Sequence, residues 1–248
     1  MSQIDKVLAL AREEIGYLEK KTNAQLDDKT ANAGSGNFTK FSRDLVNNKT
    51  IKPNPYAQGV AWCDIFVDER FIRAFDADEA RRLLGGFSAY TPTSAGYFKT
   101  AKQWHTTPRR GDIIFFDNGT RICHTGFVER VDAQKVYTIE GNTSGGSTLV
   151  ANGGCVAEKS YALDYAKIAG YGRPNYEEDD MTEKQINDLI AIALEKDRAA
   201  RQTVATAAWA TDIWDELTKR GIFDGTRPGD YVTRQELAAV LKRVGAVI

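Results

Sequence analysis

Near Gly111 the period of the apolar residues changes, and this change constrains the fold more than any other feature of the chain. From there to Pro174 the sequence runs GDIIFFDN, RICHTGFVERVD, KVYTIEGNTS, GGCVAEKSYAL and AKIAGYGRP. Each is a short apolar stretch bounded by Gly, Asn or Asp, the pattern of strands separated by turns. The preceding part is helical in spacing. Ile4, Val7, Leu8, Ala11, Ile15 and Leu18 mark a first amphipathic helix, and Phe38, Phe41 and Leu45 a short second one. After a loop with Pro53 and Pro55, Ile65, Phe66, Phe71, Ile72 and Phe75 give an apolar face from Trp62 to Phe75, and Gly85-Gly86 closes the helical region. Helices first and strands afterwards predict an α+β domain over residues 1–176, with helices packed on a mostly antiparallel sheet.

Beyond Pro174 the strand signal stops. The acidic run Glu177-Glu178-Asp179-Asp180 reads as a solvated hinge within a linker at 177–182. Residues 183–248 read as a small all-α module. Ile186, Leu189, Ile190, Ala193 and Leu194 form one stripe, and Trp209, Ile213, Trp214 and Leu217 another. Thr233 and Glu236 are spaced as a capping box for a last helix carrying Leu237, Val240, Leu241 and Val244.

Charge excludes one class of partner. The 33 basic and 34 acidic residues are interspersed, and the net charge of -1 leaves no basic stripe for nucleic acid. The first helix is broken by charges every turn, unlike a signal peptide, and no apolar run reaches the roughly 20 residues of a membrane span. No membrane insertion is expected.

Three cysteines, Cys63, Cys123 and Cys155, lie far apart with no CxxC pair, so neither a zinc site nor a disulfide framework is expected. Cys63 stands where a loop becomes a helix, a place that favours a thiolate. Cys123 and Cys155 sit in strand-like apolar runs and read as small hydrophobes. Of the two histidines, His105 lies in a polar connection and is expected to face solvent, whereas His124 is inside the strand ICHTGFV. Alternation puts Cys123 on the face opposite His124, and puts Glu140 and Asn142 of TIEGNTS together, with Gly141 leaving room between them. A carboxylate and an amide so displayed can orient an imidazole. A cysteine, a histidine and a polar orienter from separate elements follow the logic of a papain-like cysteine hydrolase; the alternative for His124 alone is a satisfied core residue.

At these positions the chain resembles the CHAP family, the cysteine, histidine-dependent amidohydrolases/peptidases of phage lysins and bacterial wall enzymes. In that family a Cys opens a helix, a His follows on a strand roughly sixty residues later, and Glu-x-Asn lies on the next strand. Cys63, His124, Glu140 and Asn142 match in order and interval, and EIGYLEK, LDDKTANAGSGN, IEGNTS and GYGRP look like segments of prophage-encoded members. The resemblance implies a papain-like CHAP fold and a peptidoglycan hydrolase of the endolysin type, acting as N-acetylmuramoyl-L-alanine amidase or endopeptidase and held in the host cytoplasm until lysis. A bacterial autolysin or tail lysin would share the chemistry. A non-catalytic wall-binding protein with a vestigial site is the alternative from another class. Some members carry a DxDxDG-type calcium loop before the cysteine. IKPNPYAQGVAW does not, and Asp27-Asp28 reads as a solvated loop, so no metal or other cofactor is expected. Trp62, Tyr56 and Asn54 precede Cys63 and are candidates to line a peptide groove, with core packing as the alternative for Trp62. The run WATDIWDELTKRGIFDGTRPGDYVTRQELAAVL resembles half of an S-layer homology repeat. That resemblance implies attachment to a secondary cell-wall polymer; the alternative is a small bundle that stabilises the chain or forms a homodimer through these helices.

Overall fold

A computed structural model describes residues 1–176, 183–202, 204–226 and 228–246. The chain divides into two units, Met1–Glu178 and Asp179–Ile248. The hinge and linker expected at 177–182 lie outside the described residues.

The first unit opens with five helices: α1 (Gln3–Arg12), α2 (Lys40–Asn47), α3 (Cys63–Phe75), α4 (Ala77–Leu84) and α5 (Thr91–Thr100). Six strands follow: β1 (Trp104–His105), β2 (Ile113–Asp117), β3 (Ile122–Val131), β4 (Lys135–Thr143), β5 (Cys155–Ala162) and β6 (Ile168–Gly172). They form one antiparallel sheet in the order β1-β6-β2-β3-β4-β5, so the unit is α+β, as its pattern predicts. Three boundaries differ from expectation. The first helix stops at Arg12 because Gly16 takes a left-handed turn at φ 86°, after which Leu18 bridges to Cys155 of the sheet. Helix α5 buries Thr91, Ser94, Ala95 and Phe98 at helical spacing, but half of that stripe is polar and hides the period. His105 belongs to a two-residue edge strand paired with Tyr171 and is half-buried, rather than lying free in solvent.

Helix α3 is the axis of the unit. Its apolar residues Ile65, Phe66 and Phe71 join Phe115, Phe127 and Ile139 of the sheet in the main core, where Phe66 and Phe71 both contact the ring of Phe127. Burying one such side chain contributes about 1.5–3 kcal/mol. The polar face of α3 is also covered, which is tolerable only because each charge has a partner. Arg70 bonds Glu14 at 3.0 Å and pairs with Glu69, Asp68 accepts from the Tyr56 hydroxyl at 2.6 Å, and Asp64 accepts from Ser94 Oγ at 2.6 Å. On its other face the sheet builds a smaller cluster from Ile114, Phe116, Val128, Val136, Tyr161 and Tyr171.

One irregularity of the sheet positions the site. Strands β3 and β4 pair only from Phe127↔Ile139 to Val131↔Val136. Towards the other end Ile122 to Gly126 pair with β2, and Glu140 to Thr143 with β5, so the two central strands part along a seam.

In the second unit, α6 (Glu183–Gln202) is followed by a short 3-10 helix (Ala208–Ala210), α7 (Thr211–Lys219) and α8 (Arg234–Arg243). The capping box of α8 is formed, with Glu236 N donating to Thr233 Oγ1 and Thr233 N to Glu236 Oε2. Trp214 stacks on Phe223 at 4.8 Å. No described helix is long and apolar enough to cross a membrane.

Candidate active site

The seam between β3 and β4 is where Cys63, His124 and Glu140 meet. His124 stands on the part of β3 that has left β4, opposite Phe116 of β2, and Glu140 on the corresponding part of β4. His124 Nε2 donates to Glu140 Oε2 at 3.0 Å, with both side chains 0% exposed. The carboxylate is held in turn: Thr138 Oγ1 donates to Oε1 at 2.6 Å, and the Tyr161 hydroxyl to Oε2 at 3.2 Å. These two supports were not singled out from sequence. Thr138 could have been, since Thr-x-Glu alternation places it beside Glu140, whereas Tyr161 reaches the site only through the β4–β5 register, which pairs it with Val136.

Two glycines make the seam narrow enough for these contacts. A Cβ at Gly126 would lie 2.6 Å from Glu140 Cγ, and one at Gly141 would lie 2.7 Å from Phe66 Cβ and 2.9 Å from the Trp62 ring. Gly141 thus admits the helix side of the site rather than separating Glu140 from Asn142.

Cys63 is the first residue of α3 and 4% exposed. No side chain caps this helix end, so the first-turn N–H groups, that of Cys63 among them, are not taken by a cap. Such an end carries partial positive charge. Trp62, which precedes the helix, is fixed by a bond from its indole nitrogen to Glu19 Oε2 at 2.9 Å and by the rings of Tyr17, Phe41 and Phe66.

Burial alone would lower the proton affinity of His124, but Cys63 on one side and Glu140 on the other more than offset it and raise the ring to about 9. The ring is therefore imidazolium at neutral pH. Its Nδ1 is buried without a hydrogen-bond partner, and Cys63 acts on the ring in the same direction as Glu140. A cationic ring beside a sulfur at a helix amino end is the setting in which a thiol ionises. Cys123 and Cys155 lack this setting, and burial pushes both thiols up.

The other candidates are placed differently. Asn142 sits in a bulge, at φ 54°, where the β4–β5 register slips between Glu140 and Thr143, so simple alternation fails there. Its amide donates to Ala151 O at 3.5 Å, its Oδ1 is buried without a partner, and it makes no hydrogen bond to His124. Trp62 and Tyr56, candidates to line a groove, are buried, and the Tyr56 hydroxyl is committed to Asp68, so neither offers a surface to an extended peptide and Trp62 takes the core-packing alternative. Asn54 is exposed, with its amide on Leu45 O. Among the described residues no cluster of three or more metal-ligating side chains occurs; Asp27 pairs with Arg43, and Asp28 accepts from Thr30 and Ala31 N–H groups.

Residues 55–142 match the CHAP domain family. The matched segment holds Cys63, His124, Glu140 and Asn142. Among solved structures the chain is similar to the one described as "The crystal structure of Ly7917", with 13% identity and a TM-score of 0.38. The similarity covers 69% of this chain and 62% of that one, less than two thirds of its length. No curated protein matches.

Proposed function

We propose that the chain cleaves an amide bond of bacterial peptidoglycan with Cys63 as nucleophile, His124 as acid and base, and Glu140 as the carboxylate that orients the ring. The single observation carrying this reading is the buried His124–Glu140 bond, on a ring that Cys63 also acts upon. The sulfur attacks the carbonyl carbon and forms a C–S bond, while the oxyanion is met by the backbone N–H of Cys63. His124 gives its proton to the amine nitrogen as the C–N bond breaks. Water, deprotonated by His124, then attacks the thioester, and the acid leaves with the thiolate restored.

Replacing Cys63 with Ala abolishes release of soluble fragments from purified cell walls and leaves the circular dichroism spectrum unchanged. Wall degradation by that variant refutes the assignment. A haloacetamide labels Cys63 faster than Cys123 or Cys155, as mapped by mass spectrometry; equal labelling of the three thiols counts against it. Free L-alanine amino termini among the products identify an N-acetylmuramoyl-L-alanine amidase, and new termini within the stem or cross-bridge identify an endopeptidase.

The proposal extends to an endolysin of phage or prophage origin, kept in the host cytoplasm until the membrane is breached. The likeness of EIGYLEK and IEGNTS to prophage lysins supports it. The second unit is assigned to wall attachment, supported by the S-layer-like run and by apolar side chains such as Trp209, which is 88% exposed. Removal of residues 183–248 then weakens sedimentation with cell walls while leaving cleavage of soluble fragments intact. Unchanged sedimentation, with dimers lost on truncation, assigns the module to self-association instead.

A further inference from the structure

We propose that Tyr90 and Arg121 form a reading platform beside Cys63, on which the Arg121 guanidinium holds a carboxylate of the peptide substrate. This rests on the hydrolase reading above and adds the charge of the group that is read.

Tyr90 is 52% exposed, and the guanidinium of Arg121 lies over its ring at 5.4 Å. Arg121 is exposed, spends one N–H on Ile122 O at 3.0 Å, and makes no ion pair among the described residues. Stacking fixes the plane of the guanidinium, and the remaining donors form a fork that matches a carboxylate.

The platform is built onto both elements that carry the proposed chemistry. Asp68 and Asp64 of α3 hold its first side: Ser88 N donates to Asp68 Oδ2 at 3.2 Å, Tyr90 N to Ser88 Oγ at 2.9 Å, and Ser94 Oγ to Asp64 Oδ2 at 2.6 Å. Asp64 directly follows Cys63. On the second side, the turn before β3 is closed by Asn118 Oδ1, which accepts from Thr120 N and Arg121 N. Thr91 Oγ1 and Arg121 both donate to Ile122 O, two residues before His124. Burial is the main influence on the thiol of Cys123, two residues after Arg121, and both Cys63 and Arg121 act on it as well.

The test compares two soluble stem peptides that differ only in a free carboxylate or a carboxamide beside the scissile amide. The full chain prefers the carboxylate by about fivefold in kcat/KM at low salt, the scale of one exposed charge-assisted contact. The preference resides in KM, falls to near one in Arg121→Gln, is partly regained in Arg121→Lys, and is reduced in Tyr90→Ala. A wild-type ratio near one, or a ratio unmoved by Arg121→Gln, overturns the proposal. If the wild type cleaves neither peptide the hydrolase reading fails by itself. Calorimetric binding of the same two peptides to Cys63→Ala still decides the platform, with tighter binding of the carboxylate expected and equal binding overturning it.

Discussion

Gly126 and Glu140 face each other across the seam at the closest approach the backbone allows: a Cβ on the glycine would sit 2.6 Å from Glu140 Cγ and 2.9 Å from Ile139 O. The space a side chain would fill is occupied by the carboxylate stem on its way to His124. Gly126→Ala therefore displaces Glu140 from the ring. The expected cost is about 1–3 kcal/mol of stability from overpacking. Hydrolytic kcat/KM measured at a temperature where the variant is fully folded falls as well, and an unaltered rate would show that Glu140 need not stand where it does.

Glu140→Gln keeps the shape of the side chain and removes its charge. Because that charge is one cause of the raised proton affinity of His124, the alkaline limb of the pH–rate profile moves to lower pH in this variant. The loss of rate at neutral pH is smaller than for His124→Ala, which forfeits acid–base catalysis worth about 10²–10⁴. An alkaline limb that stays in place removes Glu140 from the proton balance of the site.

The His124 ring rises from its ordinary 6.5 to about 9 on folding. A group whose folded value is raised adds stability in full below its unfolded value and loses it as pH rises through the folded one. The expected contribution is about 3 kcal/mol, present at pH 6, shrinking between 6.5 and 9, and absent above. Urea midpoints from pH 6 to 10 therefore fall more steeply for the wild type than for His124→Asn. Activity that requires the imidazolium declines over the same window, with an apparent value that belongs to the Cys63–His124 pair. Parallel urea curves for the two proteins would contradict this.

Glu19 acts on the nucleophile through its neighbour. Its carboxylate takes the buried indole N–H of Trp62, which sets the residue before Cys63. Glu19→Ala strands that donor at a cost of about 1–3 kcal/mol. Alkylation of Cys63 slows relative to Cys123 in this variant, and Glu19→Gln, which keeps an acceptor, restores much of the ratio. Loss of stability with an unchanged labelling ratio would make Glu19 a packing residue only.

How much of this was legible in the sequence depended on whether local pattern or long-range pairing decided the outcome. The strands from Ile113 to Gly172 and helix α3 follow from their apolar periods, and the grouping of Cys63, His124 and Glu140 is what the resemblance to the CHAP family implies. Alternation failed at Asn142 because a bulge shifts the register after Glu140; Gly141 and Asn142 permit a bulge there, but alternation alone does not reveal it. Trp62 looked available to a substrate because an aromatic residue beside a reactive cysteine is ambiguous. Its burial depends on Glu19, Phe41 and Gly141, which are distant in sequence. The carboxylates Asp64 and Asp68 are sealed against Ser94 and Tyr56, partners distant in sequence, so that burial pushes Asp64 up to about 7 and Asp68 well above the usual carboxylate range.

The enclosure of the imidazole has a kinetic consequence. With one ring nitrogen engaged by Glu140 and no surface open to solvent, Nδ1 is the remaining ring nitrogen through which a proton can enter or leave. Dissolved buffer molecules are shut out of the relay, so turnover at fixed pH and ionic strength is indifferent to buffer concentration.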